Sequence, residues 1–100
     1  MKEIKLVVVD DHPLFRQGVV DALSLEPDMA VVGQASGGEE ALEMIRSLAP
    51  DIAVLDVNLP GMNGQQVTHR VVQEKLNTRM LLLPGYDDPE QALLAALAGA

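Results

Sequence analysis

The chain has 100 residues, a formal net charge of −8 and no cysteine, which suits one small domain that buries roughly two thirds of its unfolded surface. Seven scattered Lys and Arg residues exclude a surface built to hold a nucleic-acid backbone, and the lack of Cys excludes both a disulfide framework and a thiolate site. No stretch approaches the roughly 20 apolar residues of a membrane span, and Met1 to Lys5 leads into a strand pattern rather than a secretory leader, so a cytoplasmic domain over residues 1–100 is expected.

The first strand is expected over Ile4 to Val9, an apolar run closed by Asp10 and Asp11. Pro13 to Leu25 then places Leu14, Phe15, Gly18, Val19, Ala22 and Leu23 at helical spacing, with Asp11 or His12 before it and Pro27 beyond it. Met29 to Ala35, interrupted by Gly33 and Gln34, reads as an edge strand. Ser36 and Glu39 have the spacing of a capping box opening a helix on Ala41, Leu42, Ile45 and Leu48, ended by Pro50. Ile52 to Leu55 is a third strand, closed by Asp56. Gly64 to Glu74 is helical, with Val67 and Val71 at helical spacing and Val72 beside them, and Thr78 to Leu83 is a fourth strand. Pro89 opens a last helix through Ala92, Leu93, Ala96 and Leu97. Four βα units in succession predict a doubly wound parallel sheet with helices on both faces and right-handed crossovers.

In such a sheet, ligands bind outside the carboxyl ends of the strands. Asp10, Asp11 and Asp56 all fall there. Three carboxylates that cannot spread apart favour a hard divalent cation such as Mg²⁺. His12 reads as a loop residue and His69 as a solvated helix residue. Glu39, Glu40 and Glu43 read as a solvated face, and Met29, Met44 and Met80 as core filler.

The string Val8-Val9-Asp10-Asp11-His12-Pro13-Leu14-Phe15-Arg16, the segment Leu55-Asp56-Val57-Asn58-Leu59-Pro60-Gly61-Met62-Asn63-Gly64 and the tetrad Tyr86-Asp87-Asp88-Pro89 together resemble a bacterial two-component response-regulator receiver domain. They are most similar to the receivers that precede a LuxR-type helix-turn-helix domain. The resemblance implies a flavodoxin-like (CheY-like) fold and a phosphoaccepting function, with phosphoryl transfer from a histidine kinase to Asp56. It implies that Asp11 and Asp56 ligate Mg²⁺ directly, Asp10 through water and Asn58 through its carbonyl. Contact with DNA would belong to another domain, and membrane contact is not implied. Pro60, Gly61 and Gly64 would shape the turn that carries Asn58.

Two departures stand out against that family. Its fourth strand ends in Thr or Ser, whose hydroxyl meets the phosphoryl group; Pro84 stands here and offers neither hydroxyl nor N–H, with Gly85 next. The family also continues into a fifth strand bearing a catalytic Lys, and no such Lys lies within these residues. A (βα)₄ remnant lacking the fifth unit would leave the fourth strand as an apolar edge, with Met80 to Leu83 exposed. The expectation is therefore a truncated or engineered receiver fragment that forms a homodimer, by pairing fourth strands or exchanging an element at a Pro84-Gly85 hinge, and that lacks a working phospho-switch. A Mg²⁺ phosphohydrolase is disfavoured, because Asn58 stands where that chemistry places a second acid.

Overall fold

A computed structural model describes residues 3–85 and 88–98. Tyr86 and Asp87 of the third motif lie outside the described residues, as do Met1, Lys2, Gly99 and Ala100. Four strands and four helices alternate: β1 Ile4–Val9, α1 Pro13–Ser24, β2 Met29–Ala35, α2 Gly38–Leu48, β3 Ile52–Asp56, α3 Gly64–Gln73, β4 Arg79–Leu83 and α4 Pro89–Ala98. All strand pairs are parallel, in the order β2-β1-β3-β4. This is the flavodoxin-like arrangement expected. β2 is an edge, as Gly33 and Gln34 predicted.

Because successive strand residues point to opposite faces, the apolar runs feed two cores. Val7 and Val9 of β1 with Ala53 and Leu55 of β3 pack under Ala41, Leu42 and Ile45 of α2 and Val67 and Val71 of α3. Leu6, Val8 and Val54 pack on the other side under Val19 and Leu23 of α1 and Ala92, Leu93 and Ala96 of α4. Each fully buried Val or Leu contributes about 1.5–3 kcal/mol, and the central strands β1 and β3 supply most of them.

The face taken by α4 has a topological consequence. Right-handed crossovers place α1 on one face and both α2 and α3 on the other, since the chain reverses direction after β2. A crossover from β4 to a strand on its free edge would keep the α2/α3 face. Here α4 lies on the α1 face instead, and Gly18 of α1 makes the contact possible: a Cβ there would stand 2.6 Å from Pro89 Cγ.

Four expectations are corrected. Leu14 is 89% exposed, so it is not on the buried face of α1; Phe15, Val19 and Leu23 define that face. Leu48 is likewise exposed at the end of α2. The Ser36–Glu39 capping box does not form, because the helix starts later: Gly37 is the N-cap, and the Ser36 N–H donates to the Glu40 carboxylate at 3.0 Å. Finally, Met80 to Leu83 is not bare. Leu83 is 1% exposed, and Leu81 also packs toward α4. Met80 and Leu82, on the opposite face, are half-buried. Among the described residues, the outer backbone edge of β4 pairs with no strand.

Candidate functional site

The parallel register assembles the site. β1 and β3 align Val9 with Leu55, so the next residues, Asp10 and Asp56, come side by side at the carboxyl edge. β3 and β4 align Asp56 with Leu83, so Pro84 follows at the same edge. Asp11 and His12 lie in the turn from β1 to α1. Asp10, Asp11, His12 and Asp56 each present a ligand atom, and these atoms all lie within 4.8 Å of one another.

Asp10 is the buried member, 1% exposed. Its N–H donates to the Ala35 carbonyl at 3.1 Å, and its carbonyl accepts from the Arg16 guanidinium at 2.9 Å. Its Oδ1 accepts the His12 N–H at 2.8 Å. Burial pushes the Asp10 carboxyl above the ordinary carboxylate range; the His12 N–H opposes the shift and the Asp56 charge adds to it. Asp56 is half-buried and ends β3; its Oδ1 accepts the Asn58 N–H at 3.0 Å, holding Asn58 beside it.

His12, expected as an ordinary loop residue, joins this cluster. Its Nδ1 lies 3.2 Å from Asp10 Oδ1 and 3.1 Å from Asp11 Oδ1. The hydrogen bond to Asp10, then the charge of Asp11, hold its pKa above the usual imidazole value. The sequence signal was its position directly after two acids, in a turn that folds its own N–H back onto Asp10. His69 is exposed on α3, as expected.

The turn from β3 to α3 is shaped by three glycines in different ways. Gly61 takes φ +70, where a side chain is strained. Gly64, expected to supply the same freedom, instead starts α3 and is needed for space: a Cβ there would stand 2.8 Å from the Asp56 carbonyl oxygen. Gly38 at the start of α2, which sequence reasoning did not single out, faces the same turn; a Cβ would overlap the Met62 carbonyl. Asn63 then caps α3 through a capping box with Gln66, both bonds at 2.9 Å. Nothing in local spacing reveals the Gly38 contact, because it joins segments 24 residues apart.

A cleft of about 360 Å³ opens above these groups, walled by Phe15, Asn58, Leu83, Pro84 and Gly85 around Asp10, His12 and Asp56. Among the described residues, neither Lys nor Arg lines it. Roomier hollows of about 600 Å³ lie over the start of α3 and between α1 and α4, but neither joins the carboxylate cluster. An oxygen-rich donor set, one member buried and already straining against its own charge, fits a hard divalent cation such as Mg²⁺. Pro84 is where the sequence placed it, in the wall beside Asp56, with no hydroxyl to offer.

Residues 6–100 match the family described as Response regulator receiver domain. The chain is 48% identical over 101 residues to a transcriptional regulatory protein NarL of Mycobacterium tuberculosis, covering 98% of this chain and 47% of that protein. It is 38% identical over 95 residues to the nitrate/nitrite response regulator protein NarL of Escherichia coli, covering 95% and 44% respectively. The chain thus spans about half the length of the curated relatives it matches. Among solved structures it superposes on the signal receiver domain of the Mycobacterium tuberculosis NarL response regulator with a TM-score of 0.84 and 47% identity, covering 98% of this chain and 78% of that one. A LuxR-family response regulator from Aurantimonas gives a TM-score of 0.80 at 34% identity, covering 99% and 71%.

Proposed function

The chain belongs to the response regulator receiver family, and on that premise we propose that it is a phosphoacceptor whose acceptor residue is Asp56 and whose donor is a phosphohistidine on a histidine kinase. The observation that carries this reading is the place of Asp56: it ends β3 in a cleft, half-buried, with Asp10 and Asp11 beside it and its carboxylate steered by the Asn58 N–H.

A carboxylate oxygen of Asp56 attacks phosphorus; the new O–P bond forms as the P–N bond to the donor histidine breaks, and the leaving imidazole takes up a proton from solvent. The product is an acyl phosphate. Because an anion attacks an anion, charge is the main obstacle. Asp11, Asp56 and the Asn58 carbonyl would hold Mg²⁺, with Asp10 acting from behind. When bound, that ion supplies the positive charge that neutralises phosphoryl oxygens. The acid–amide bond between Asp56 and Asn58 fixes the attacking carboxylate, and Arg16, by binding the Asp10 carbonyl, fixes the turn that presents Asp11. The chemistry modifies the chain itself, which makes it a signalling domain rather than a turnover enzyme.

The place of work is the cytoplasm, beside the kinase. No described helix is long and apolar enough to cross a membrane, and the net charge of −8 leaves nucleic-acid contact to another domain. A homodimer through the unpaired edge of β4, or by exchange at Pro84-Gly85, is a further part of the reading.

Pro84 favours a second reading, a receiver whose switch is attenuated. Without a hydroxyl at that wall the phosphoryl group gains one fewer donor, and coupling of phosphorylation to movement of β4 is weakened. Phosphorylation with a small phosphodonor separates the two: phosphate on Asp56 with no change at β4 supports the second, and a shift of β4 resonances on phosphorylation supports the first.

A further inference from the structure

We infer that the carboxylate cluster also takes a first-row transition cation such as Zn²⁺, held through His12 Nδ1 together with Asp10, Asp11 and Asp56. This rests on the metal-site part of the reading above and adds to it a nitrogen ligand and a second class of ion. Mg²⁺ takes oxygen ligands and gives up its waters reluctantly, whereas imidazole is a preferred ligand of Zn²⁺ and its neighbours in the series. The two ions would compete for the same carboxylates, and His12 would favour the second.

His12 Nδ1 lies 3.2 Å from Asp10 Oδ1 and 3.1 Å from Asp11 Oδ1. As hydrogen bonds these contacts are poor. A ring nitrogen has at most one N–H to share between the two oxygens, and both distances exceed the roughly 2.7–2.9 Å of a charge-assisted N–H···O bond. As edges of a coordination shell they are in range: two ligand atoms about 2.1 Å from one ion stand about 3.0 Å apart at a right angle and about 3.4 Å apart at a tetrahedral angle. The ligand atoms of Asp10, Asp11, His12 and Asp56 all lie within 4.8 Å of one another, close to the roughly 4.2 Å between opposite corners of such a shell.

Asp10 is an independent pointer to a cation. It is 1% exposed, and its Oδ1 accepts the His12 N–H, but among the described residues its Oδ2 accepts no hydrogen bond. That oxygen is not sealed in the core, and Asp10 lines the cleft, so a buried carboxylate keeps a free acceptor open to it. Such a group is costly to bury unless a positive charge meets it. The His12 side chain is 72% exposed, so Nε2 keeps its proton in water while Nδ1 gives its lone pair to the ion; any proton on Nδ1 passes to solvent. All four residues stand at or just beyond the ends of β1 and β3, the two inner strands of the sheet, and their convergence owes nothing to the outer edge of β4.

The test is a pair of calorimetric titrations, with Zn²⁺ and with Mg²⁺, of the parent, His12→Ala and Asp56→Asn, joined to NMR of the histidine ring nitrogens. The sequence has two His, and His69, exposed on α3, serves as the internal control. Zn²⁺ is expected to shift His12 Nδ1 and leave His69 in place. His12→Ala keeps the backbone N–H that Asp10 needs; it should weaken Zn²⁺ by at least about tenfold, the loss usual for even an outer-shell partner of a metal ligand, and leave Mg²⁺ affinity and the melting transition unchanged. Asp56→Asn should weaken both ions. Zn²⁺ affinity equal in the parent and His12→Ala, equal loss of both ions in that variant, Zn²⁺ binding untouched by Asp56→Asn, or a Zn²⁺ shift at His69 alone would overturn the proposal. Any of these with Mg²⁺ binding intact in the parent would leave the reading of Asp56 standing, whereas a parent that binds neither ion would remove the metal site itself.

Discussion

Gly64 is packed so tightly against Asp56 that a single added Cβ would stand 2.8 Å from the Asp56 carbonyl oxygen and 3.2 Å from the Val57 Cα. Both neighbours are backbone, so neither yields cheaply. Gly64→Ala is expected to cost about 1–3 kcal/mol by overpacking, read as a lower urea midpoint, and to cut phosphorylation of Asp56 more than Gly61→Asn does. Asn tolerates positive φ, and a Cβ at Gly61 would meet no described atom beyond its chain neighbours within 4 Å. Equal stability of the Gly64→Ala variant and the parent would show that the turn is free to shift.

Metal binding is the next expectation. Mg²⁺ or Mn²⁺ should bind weakly at the carboxylate cluster, with shifts at Asp11, Asp56 and Asn58 in an NMR titration. Asp11→Ala should weaken this by about tenfold or more, in line with the loss of one good ligand interaction. Indistinguishable titrations of the parent and Asp11→Ala would remove the site.

An acid-dependent contribution to stability is expected away from the site. Glu74, in the turn after α3, is pulled down to about 2 by its hydrogen bond to Arg46 of α2, with Arg70 adding to the effect. A lowered folded value means the contribution is present above the ordinary Glu pKa of 4.5 and is lost as pH falls toward 2. Melting curves of the parent and Glu74→Gln should therefore differ at neutral pH and converge at the acid end. The pair is solvent-exposed, so the difference is small. Curves that instead diverge as pH falls would reverse the sign of this account.

Gly18 and Pro89 set where α4 sits. Gly18→Leu should push α4 off the α1 face, since even a Cβ at this position meets Pro89 Cγ at 2.6 Å. Amide exchange should then accelerate in Ala92 to Ala96 while the β1 and β3 amides remain protected. Unchanged protection in α4 would show that Pro89 gives way instead.

Self-association is tested by light scattering across a dilution series. A dimer that protects the β4 amides is expected; a compact monomer at all concentrations with the same amides protected would mean the edge covers itself.

Most of the sheet was readable because strand identity rests on local runs: Leu6 to Val9 and Ala53 to Leu55 could only be buried on both faces, and four βα units dictate parallel order. The adjacency of Asp10 and Asp56 followed from the same logic, since each closes a central strand. What was hidden depends on distant partners. Leu14 fits the helical spacing of α1 yet points to solvent, because a spacing shared by neighbouring positions does not say which is covered. Gly38 is needed only because Met62 arrives from another loop. The face taken by α4 could not be read at all: with Ala92 to Ala98 apolar on every side, periodicity names no inward face, and the choice falls to Gly18 across the groove.

The central claim, that Asp56 is the phosphoacceptor, is tested most directly by locating phosphate on the chain by mass spectrometry after treatment with acetyl phosphate and Mg²⁺. The account predicts phosphate on Asp56, lost in Asp56→Asn. It also predicts a yield restored in part by Pro84→Thr, since one preorganised donor at developing charge is worth on the order of 3 kcal/mol. Phosphate on Asp10 or Asp11, or undiminished labelling of Asp56→Asn, would contradict it.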